Sequence, residues 1–290
     1  MTVIGFVGLG AMGAAMAGRL LGIAGNQVHG TNRTRSKAEA LIAQGLWWHD
    51  TPREVAVSSD VVISMITDDV ALCGIADGPD GILAGLRPGS LYIDMSTVSP
   101  RASRELAARV SAAGAAMVDA PVSGSVPAAR DGGLTIMVGG TDEGFKAAEP
   151  VLTQLGKVTH VGLNGHGLLL KLAINTSLAA QMVAFSEGLL LAQRGGVDPA
   201  VAIKVMTDSA IGSPMLRARA PLVLDLPDQA WFNIQLMHKD IRLAREVGHE
   251  EGVLLPSAAA IEVVLREAEK LGYGHRDIAG LFEVLAKATA

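Results

Sequence analysis

The sequence predicts an α/β fold: a Rossmann-type doubly wound parallel sheet joined by one long helix to an all-α carboxy-terminal domain. Three observations lead there. Up to Gly162, short apolar runs alternate with Ala-rich helical stretches, the pattern of parallel βαβ units. The glycine triplet Gly8, Gly10 and Gly13 stands where the first strand gives way to the first helix. Beyond Gly162 the strand pattern stops, and a long proline-free stretch opens at Gly165.

The elements follow in order. Thr2–Val7 reads as a strand, Met12–Gly22 as a helix, Gln27–Thr31 as a second strand and Ser36–Gln44 as a helix. Val61–Met65 is a continuous apolar run suited to a strand buried on both faces. Leu91–Asp94, Ala116–Asp119 and Leu134–Val138 are further strands, with helical spacing over Pro100–Ala113. Trp47 and Trp48 read as strand or loop packing. From Gly165 to Gln193, Leu168, Leu169, Leu172, Asn175, Ser177, Leu178 and Met182 leave a helix little polar face, so it should be buried. About 40 Å long at 1.5 Å per residue, it is expected to bridge two domains and a second subunit. Helices are expected at Asp198–Thr207, Gln235–Gly248, Ser257–Lys270 and His275–Ala286. The domain assignment is 1–162, cofactor-binding, and 163–290, helical, with the long helix at about 165–193.

Composition narrows the function classes. A 290-residue chain that is 49% hydrophobic and 18% charged can build two cores and is not disordered. A net charge of −5 with no long basic run argues against nucleic acid. Cys73 is the only cysteine, so no intramolecular disulfide forms, and no metal-ligand spacing is present. His160, His166, His238 and His249 read as surface or loop histidines. The apolar start lacks the charged region of a signal peptide, no membrane span is expected, and the cytoplasm is the expected compartment.

Gly8, Gly10 and Gly13 spell G-x-G-x-x-G directly after a strand and at the opening of a helix. Gly8 permits the turn, Gly10 lets backbone approach a pyrophosphate, and Gly13 lets helix and sheet pack closely. With Leu9, Ala11 and Met12, they present a helix amino terminus to the phosphates. An NAD site wants Asp or Glu at the end of the second strand. This chain has Asn32, Arg33 and Thr34, with Lys37 one turn on. A guanidinium suits a 2′-phosphate, so NADP(H) is the preferred cofactor, with NAD(H) left open.

GFVGLGAMG, TNRT, DMSTVSP, DAPVSGS, the Lys171/Asn175 pair and HKDIRLA, in that order, resemble the β-hydroxyacid dehydrogenases over essentially the whole chain. That group includes 3-hydroxyisobutyrate dehydrogenase and the tartronate, glyoxylate and succinic semialdehyde reductases. The resemblance implies Lys171 as general acid/base, Asn175 orienting substrate, and Ser123 and Gly124 holding its carboxylate. It places Thr97 near the nicotinamide ribose and Phe232 near the adenine end. Lys239 and Asp240 would close over the cofactor and brace the site. Met65 and Ile66 are counted with the cofactor contacts. Relatives often carry Gly where Ser125 stands, which puts substrate size and polarity in question, and Asn where Ile174 stands. The decarboxylating 6-phosphogluconate dehydrogenases place a glutamate one turn past the asparagine. Leu178 stands there, so oxidation without decarboxylation is expected.

The residues say something on their own. Positions 171 and 175 share a helix face, about 6 Å apart along the axis. A lysine in so apolar a stretch is paired, snorkelling or functional. Burial would lower its pKa toward the range of a useful base. Ser123, Gly124 and Ser125 follow a strand end, where such sheets bind ligands, and their hydroxyls and amides suit a small carboxylate. The reading is an NADP(H)-dependent oxidoreductase for a small hydroxy carboxylate. The alternatives are an imine reductase, against which Lys171 argues, and a non-catalytic NADPH-binding module. The apolar helical domain predicts a homodimer or homotetramer.

Overall fold

The computed structural model describes residues 2–288. Its strands are β1 (Thr2–Val7), β2 (Asn26–Thr31), β3 (Trp47–Trp48), β4 (Val61–Ser64) and β5 (Leu91–Asp94). They continue with β6 (Ala116–Asp119), β7 (Val122–Ser123), β8 (Leu134–Gly139) and β9 (Gly156–Gly162). They form one sheet in the order β3-β2-β1-β4-β5-β6-β8-β7, with β9 paired to β8. The chain divides into two compact units, Met1–Lys171 and Leu172–Ala290.

Alternation explains why the central strands are apolar throughout. Ile4 and Phe6 of β1, Ile63 of β4, Ile93 of β5 and Val118 of β6 enter one core. Val7, Val62, Tyr92 and Met117 enter another on the opposite face. Successive side chains of a strand point to opposite faces, so a strand covered on both sides reads as an unbroken apolar run. β1, β2, β3, β4, β5 and β6 pair in parallel, and the order turns back between β1 and β4. That point of reversal is where a doubly wound sheet opens a crevice at the strands' carboxyl ends.

The sheet departs from wholly parallel at one edge. β8 runs antiparallel to β6 and β7 and parallel to β9. Only the six-residue helix Val126–Asp131 lies between β7 and β8, too short a link for a parallel crossover. Other elements shift. Ser36–Gln44 is a 3-10 turn, Arg35–Ala38, followed by the short helix Glu39–Ala43. The last predicted helix is a 3-10 turn, Ile278–Gly280, and a helix, Leu281–Ala288. The helices Pro52–Val57, Asp69–Ala76, Ile82–Gly85, Asp142–Leu152 and Pro214–Arg219 come in addition.

The long helix runs from His166 to Arg194. It is not buried all round. Leu168, Leu172, Asn175, Ala179, Met182, Ser186 and Leu189 form the buried face. Leu170, Ala173, Ser177, Gln181, Ala184, Glu187 and Leu191 are exposed. By length and composition this helix alone, among the described residues, is apolar enough to cross a membrane, with a mean hydropathy of 1.5. Its buried side chains are nonetheless those of a protein core: Ala179, Met182, Phe185 and Leu189 pack with Met237, Ile241, Ile261 and Leu265.

In the unit Leu172–Ala290, helices Pro199–Asp208, Ile234–Glu250 and Pro256–Lys270 surround that core. A buried ion pair fixes the loop leading into Ile234–Glu250. Arg219 donates to Asp277 at 2.6 Å, and the other carboxylate oxygen accepts N–H from Trp231 (2.8 Å) and Phe232 (3.1 Å). Removing one partner strands a buried charge. Asp277→Ala should therefore cost about 3–5 kcal/mol, read as a lowered urea midpoint at neutral pH. An unchanged midpoint would refute this account of the loop.

Candidate active site

The glycine turn is built as its spacing predicts. Gly8 has φ +97°, a conformation L side chains avoid, and an added Cβ would overlap Met65 O. A Cβ on Gly13 would overlap Gly8 O, so turn and helix touch backbone to backbone. At Gly10 a Cβ meets nothing within 4 Å. Gly10 is also the N-cap of helix Ala11–Leu21, which has no side-chain cap and no acidic residue in its first turn. Orphan N–H groups at an uncapped helix start, beside open space, fit a pyrophosphate. Leu9 N–H donates to Asn32 Oδ1 (3.1 Å), and Asn32 Nδ2 donates to Thr34 O (2.9 Å). Asn32 thus ties the turn to the loop after β2, where Arg33, Thr34 and Lys37 are exposed.

Met65 and Ile66 follow β4, and Thr97 follows β5. Beneath them lies a buried polar network that sequence reasoning missed. Ser64 Oγ donates to Asp94 Oδ1 (2.7 Å), so Tyr92 O–H donates to Ser64 (2.8 Å). Burial, then the neighbouring Asp94, hold the Tyr92 phenol well above its ordinary pKa, keeping it a donor. Ser96 donates to Asp94 through Oγ (2.6 Å), and Ser96 Oγ accepts the Ile66 N–H (2.9 Å). The two loops are thereby joined.

Ser123 is half-buried in β7, and Gly124 has φ +146°. That φ is what favours glycine there, since a Cβ would come within 2.7 Å only of the movable end of the Leu134 side chain. Ser125 stands at the N-cap position of Val126–Asp131, its carbonyl accepting the Ala129 N–H but its hydroxyl making no cap. Lys171 and Asn175 both lie in the continuous helix His166–Arg194. Lys171 is half-buried, and Asn175 is buried. Asn175 Nδ2 donates to Asp240 Oδ2 at 2.6 Å. A carboxylate only accepts, so Asp240 fixes the rotation of the amide. Lys239 Nζ lies 3.0 Å from Asp240 Oδ1. Phe232 packs against the helical core, its N–H on Asp277.

Asp119, the last residue of β6, went unread as a site residue. It is fully buried, and its carboxylate accepts N–H from Gly165 (2.6 Å) and Leu168 (3.1 Å) at the start of the long helix. Burial pushes it up to about 6, against these hydrogen bonds and with help from nearby Asp94. His238 also corrects an expectation. It is largely buried on helix Ile234–Glu250, with Nδ1 3.0 Å from Glu269 and Nε2 4.0 Å from Glu262. No group of three or more His, Cys, Asp or Glu among the described residues is placed to hold a metal.

Residues 3–162 match the family model described as the NAD binding domain of 6-phosphogluconate dehydrogenase. Residues 165–285 match that described as the NAD-binding of NADP-dependent 3-hydroxyisobutyrate dehydrogenase. Glyoxylate/succinic semialdehyde reductase 2, chloroplastic, of Arabidopsis thaliana is 33% identical over 98% of this chain and 80% of its own length. Reductase 1 of the same plant is 34% identical over 97% and 98%. Among solved structures, 3-hydroxyisobutyrate dehydrogenase of Mycobacterium tuberculosis with L-serine superposes with a TM-score of 0.85. It is 29% identical, covering 98% of this chain and 99% of that one.

The raised pKa of Asp119 makes a signed prediction. The folded state holds this proton more tightly than the unfolded chain, so the contribution to stability is full below about 4 and lost as pH rises through about 6. The difference in unfolding free energy between the native protein and Asp119→Asn should fall by about 3 kcal/mol across that window. A flat difference in paired urea titrations would refute the shift.

Proposed function

Because the chain belongs to the 3-hydroxyisobutyrate dehydrogenase-related family of NAD(P)-dependent hydroxyacid dehydrogenases, we propose that it interconverts a small β-hydroxy or short hydroxy carboxylate with its aldehyde or ketone, preferring NADP(H). The observation that carries the proposal is the placing of Lys171 and Asn175 one turn apart on an unbroken helix. The chain also has the open, uncapped glycine turn a dinucleotide needs.

In the oxidising direction, the neutral Lys171 amine accepts the proton of the substrate hydroxyl. Asn175, its rotation fixed by Asp240, orients the substrate oxygen. Ser123 and Gly124, with the Ser125 hydroxyl beside them, hold the carboxylate. A nicotinamide cofactor, when bound, would supply the hydride acceptor. In the reducing direction, the Lys171 ammonium polarises the carbonyl and returns the proton to the alkoxide. The protein's contribution is proximity and a preorganised field. Leu178, apolar and packed against the helical core, offers no acid to protonate an enediol. Oxidation therefore ends at the carbonyl, without loss of carbon dioxide. The exposed apolar residues Leu170 and Leu191 support assembly as a homodimer or homotetramer.

Cofactor choice rests on Arg33. The loop after β2 carries no carboxylate for a ribose hydroxyl, and Asn32 is engaged with Leu9 and Thr34. Arg33, Thr34 and Lys37 are exposed beside it and suit a 2′-phosphate.

Two measurements test the reading. Lys171→Met should abolish oxidation of every hydroxyacid in a panel, by about a thousandfold or more in kcat for loss of a general base. Turnover near the native rate sinks the mechanism. Arg33→Ala should raise the KM for NADPH about tenfold or more while leaving that for NADH within about twofold, as expected for one lost charge-assisted contact. Equal changes for the two cofactors would defeat the NADP assignment.

A further inference from the structure

We propose that Asp119, seconded by Asn164, is a positioning device for catalysis. It straps the first turn of the Lys171 helix to the end of β6 and so sets where the lysine amine stands. This rests on the reading of Lys171 as the proton-transfer group.

The first N–H groups of any helix lack intrahelical partners. Here one carboxylate satisfies two of them with separate oxygens, Oδ1 to Gly165 at 2.6 Å and Oδ2 to Leu168 at 3.1 Å. A two-point grip fixes rotation about the helix axis as well as height along it. A negative charge is also favoured at that end of the helix dipole. Asn164 makes a further tie, its Nδ2 donating to Met117 O at 3.0 Å, two residues back along the same strand. The surroundings are cut to fit. A Cβ on either Gly139 or Gly167 would lie 2.7 Å from an Asp119 oxygen.

From Leu168, the gripped residue, to Lys171 is three residues, about 4.5 Å of helix rise. A helix turn is stiff over that distance, so the grip is transmitted to the lysine. From the end of β6 the chain runs on through Ala120 and Pro121 into β7, which ends at Ser123. Asp119 therefore ties the segment that leads to the proposed carboxylate contact to the turn that leads to the proposed base. Burial holds its carboxyl up near 6 despite the two hydrogen bonds, so the ionised group adds position without net stability. Misplacing a catalytic group by about 1 Å costs on the order of a hundredfold in rate.

The test is steady-state kinetics with NADP⁺ and the best alcohol of the panel, on Asp119→Asn, Asn164→Ala and Lys171→Met. Asparagine keeps the shape of Asp119 but turns a donor toward one of the two N–H groups. Asp119→Asn should lower kcat by about 10- to 100-fold while the KM for NADP⁺ stays within about twofold. The primary deuterium isotope effect on kcat, with the carbinol carbon deuterated, should rise as chemistry becomes limiting. Asn164→Ala should show the same pattern at smaller amplitude. A folded Asp119→Asn with native kcat overturns the proposal. So does a parallel loss in kcat and cofactor KM with no rise in isotope effect, the mark of general loosening. If Asp119→Asn gives no cooperative thermal transition, Asn164→Ala decides: unchanged kcat overturns the strap, and reduced kcat with unchanged KM supports it. An active Lys171→Met overturns the underlying reading. An inactive Lys171→Met beside fully active Asp119→Asn and Asn164→Ala overturns the strap alone.

Discussion

A carboxylate taken out of water must be given hydrogen-bond donors or lose its charge, and that constraint shapes the functional parts of this molecule. Asp94, Asp119, Asp240 and Asp277 are all buried. Each draws in donors from a segment expected to carry function. Asp94 binds Ser64 and Ser96 and so joins the loops after β4 and β5. Asp119 grips the start of the long helix, Asp240 turns the Asn175 amide, and Asp277 gathers Arg219, Trp231 and Phe232. Apolar burial supplies most of the folding free energy but has no direction. The hydrogen bonds decide where each loop goes. A buried ion pair is weak evidence for stability, and the raised pKa of Asp119 is a case where burial outweighs the bonds.

The glycine turn shows the opposite kind of constraint, in which space itself does the work. Gly8 and Gly13 leave no room for a Cβ, and Gly10 has room to spare. The contact of Gly13 with Gly8 is local, which is why the motif was readable, whereas the Met65 carbonyl that crowds Gly8 comes from far along the chain. The same locality explains which strands were legible. β5 and β6 begin and end as the apolar runs LYID and AMVD suggested, because burial on both faces removes polar interruptions. β9 was not foreseen: GKVTHVG contains no fully buried residue, and its pairing with β8 is settled by a distant partner. β7 is two residues long, below any periodicity. The added helices are short, but several announce themselves by their caps, such as the Thr51/Glu54 capping box and the Thr141, Ser213 and Asp68 caps. Such caps are local signals that apolar periodicity alone does not carry.

The candidate site divides in the same manner. Lys171, Asn175, Ser123 and Gly124 were nameable from motif and spacing. Asp240 was named with Lys239 as a brace, but its hydrogen bond to Asn175 and the grip of Asp119 were not foreseen. The partners of Asp119 lie 46 and 49 positions away, and Asp240 lies 65 from Asn175. The histidines erred for a related reason. His238 looked like a surface residue, yet two glutamates on helix Pro256–Lys270 face it and allow it to be largely buried. Polar residues are read as exposed unless the donor or acceptor that pairs them is known, and in this chain that partner is usually far along the sequence.

The long helix was expected to be buried because it is apolar, and half of that inference failed. Alanine and serine on its outer face make a helix apolar in composition without requiring cover, since alanine favours the helix for its own sake. What the helix does supply is a fixed interval. Lys171 and Asn175 are separated by one turn of continuous backbone, about 6 Å along the axis, whatever the packing on either side. The anchors then act separately. Asp119 holds the turn before the lysine within the unit Met1–Lys171, and Asp240 holds the asparagine amide within the unit Leu172–Ala290. The interval between the proposed base and the proposed orienting amide belongs to the helix, and a buried acid grips the chain near each of them. A substitution at Asp119 or Asp240 therefore alters that grip while leaving the spacing intact, whereas a helix breaker between 171 and 175 alters the spacing itself.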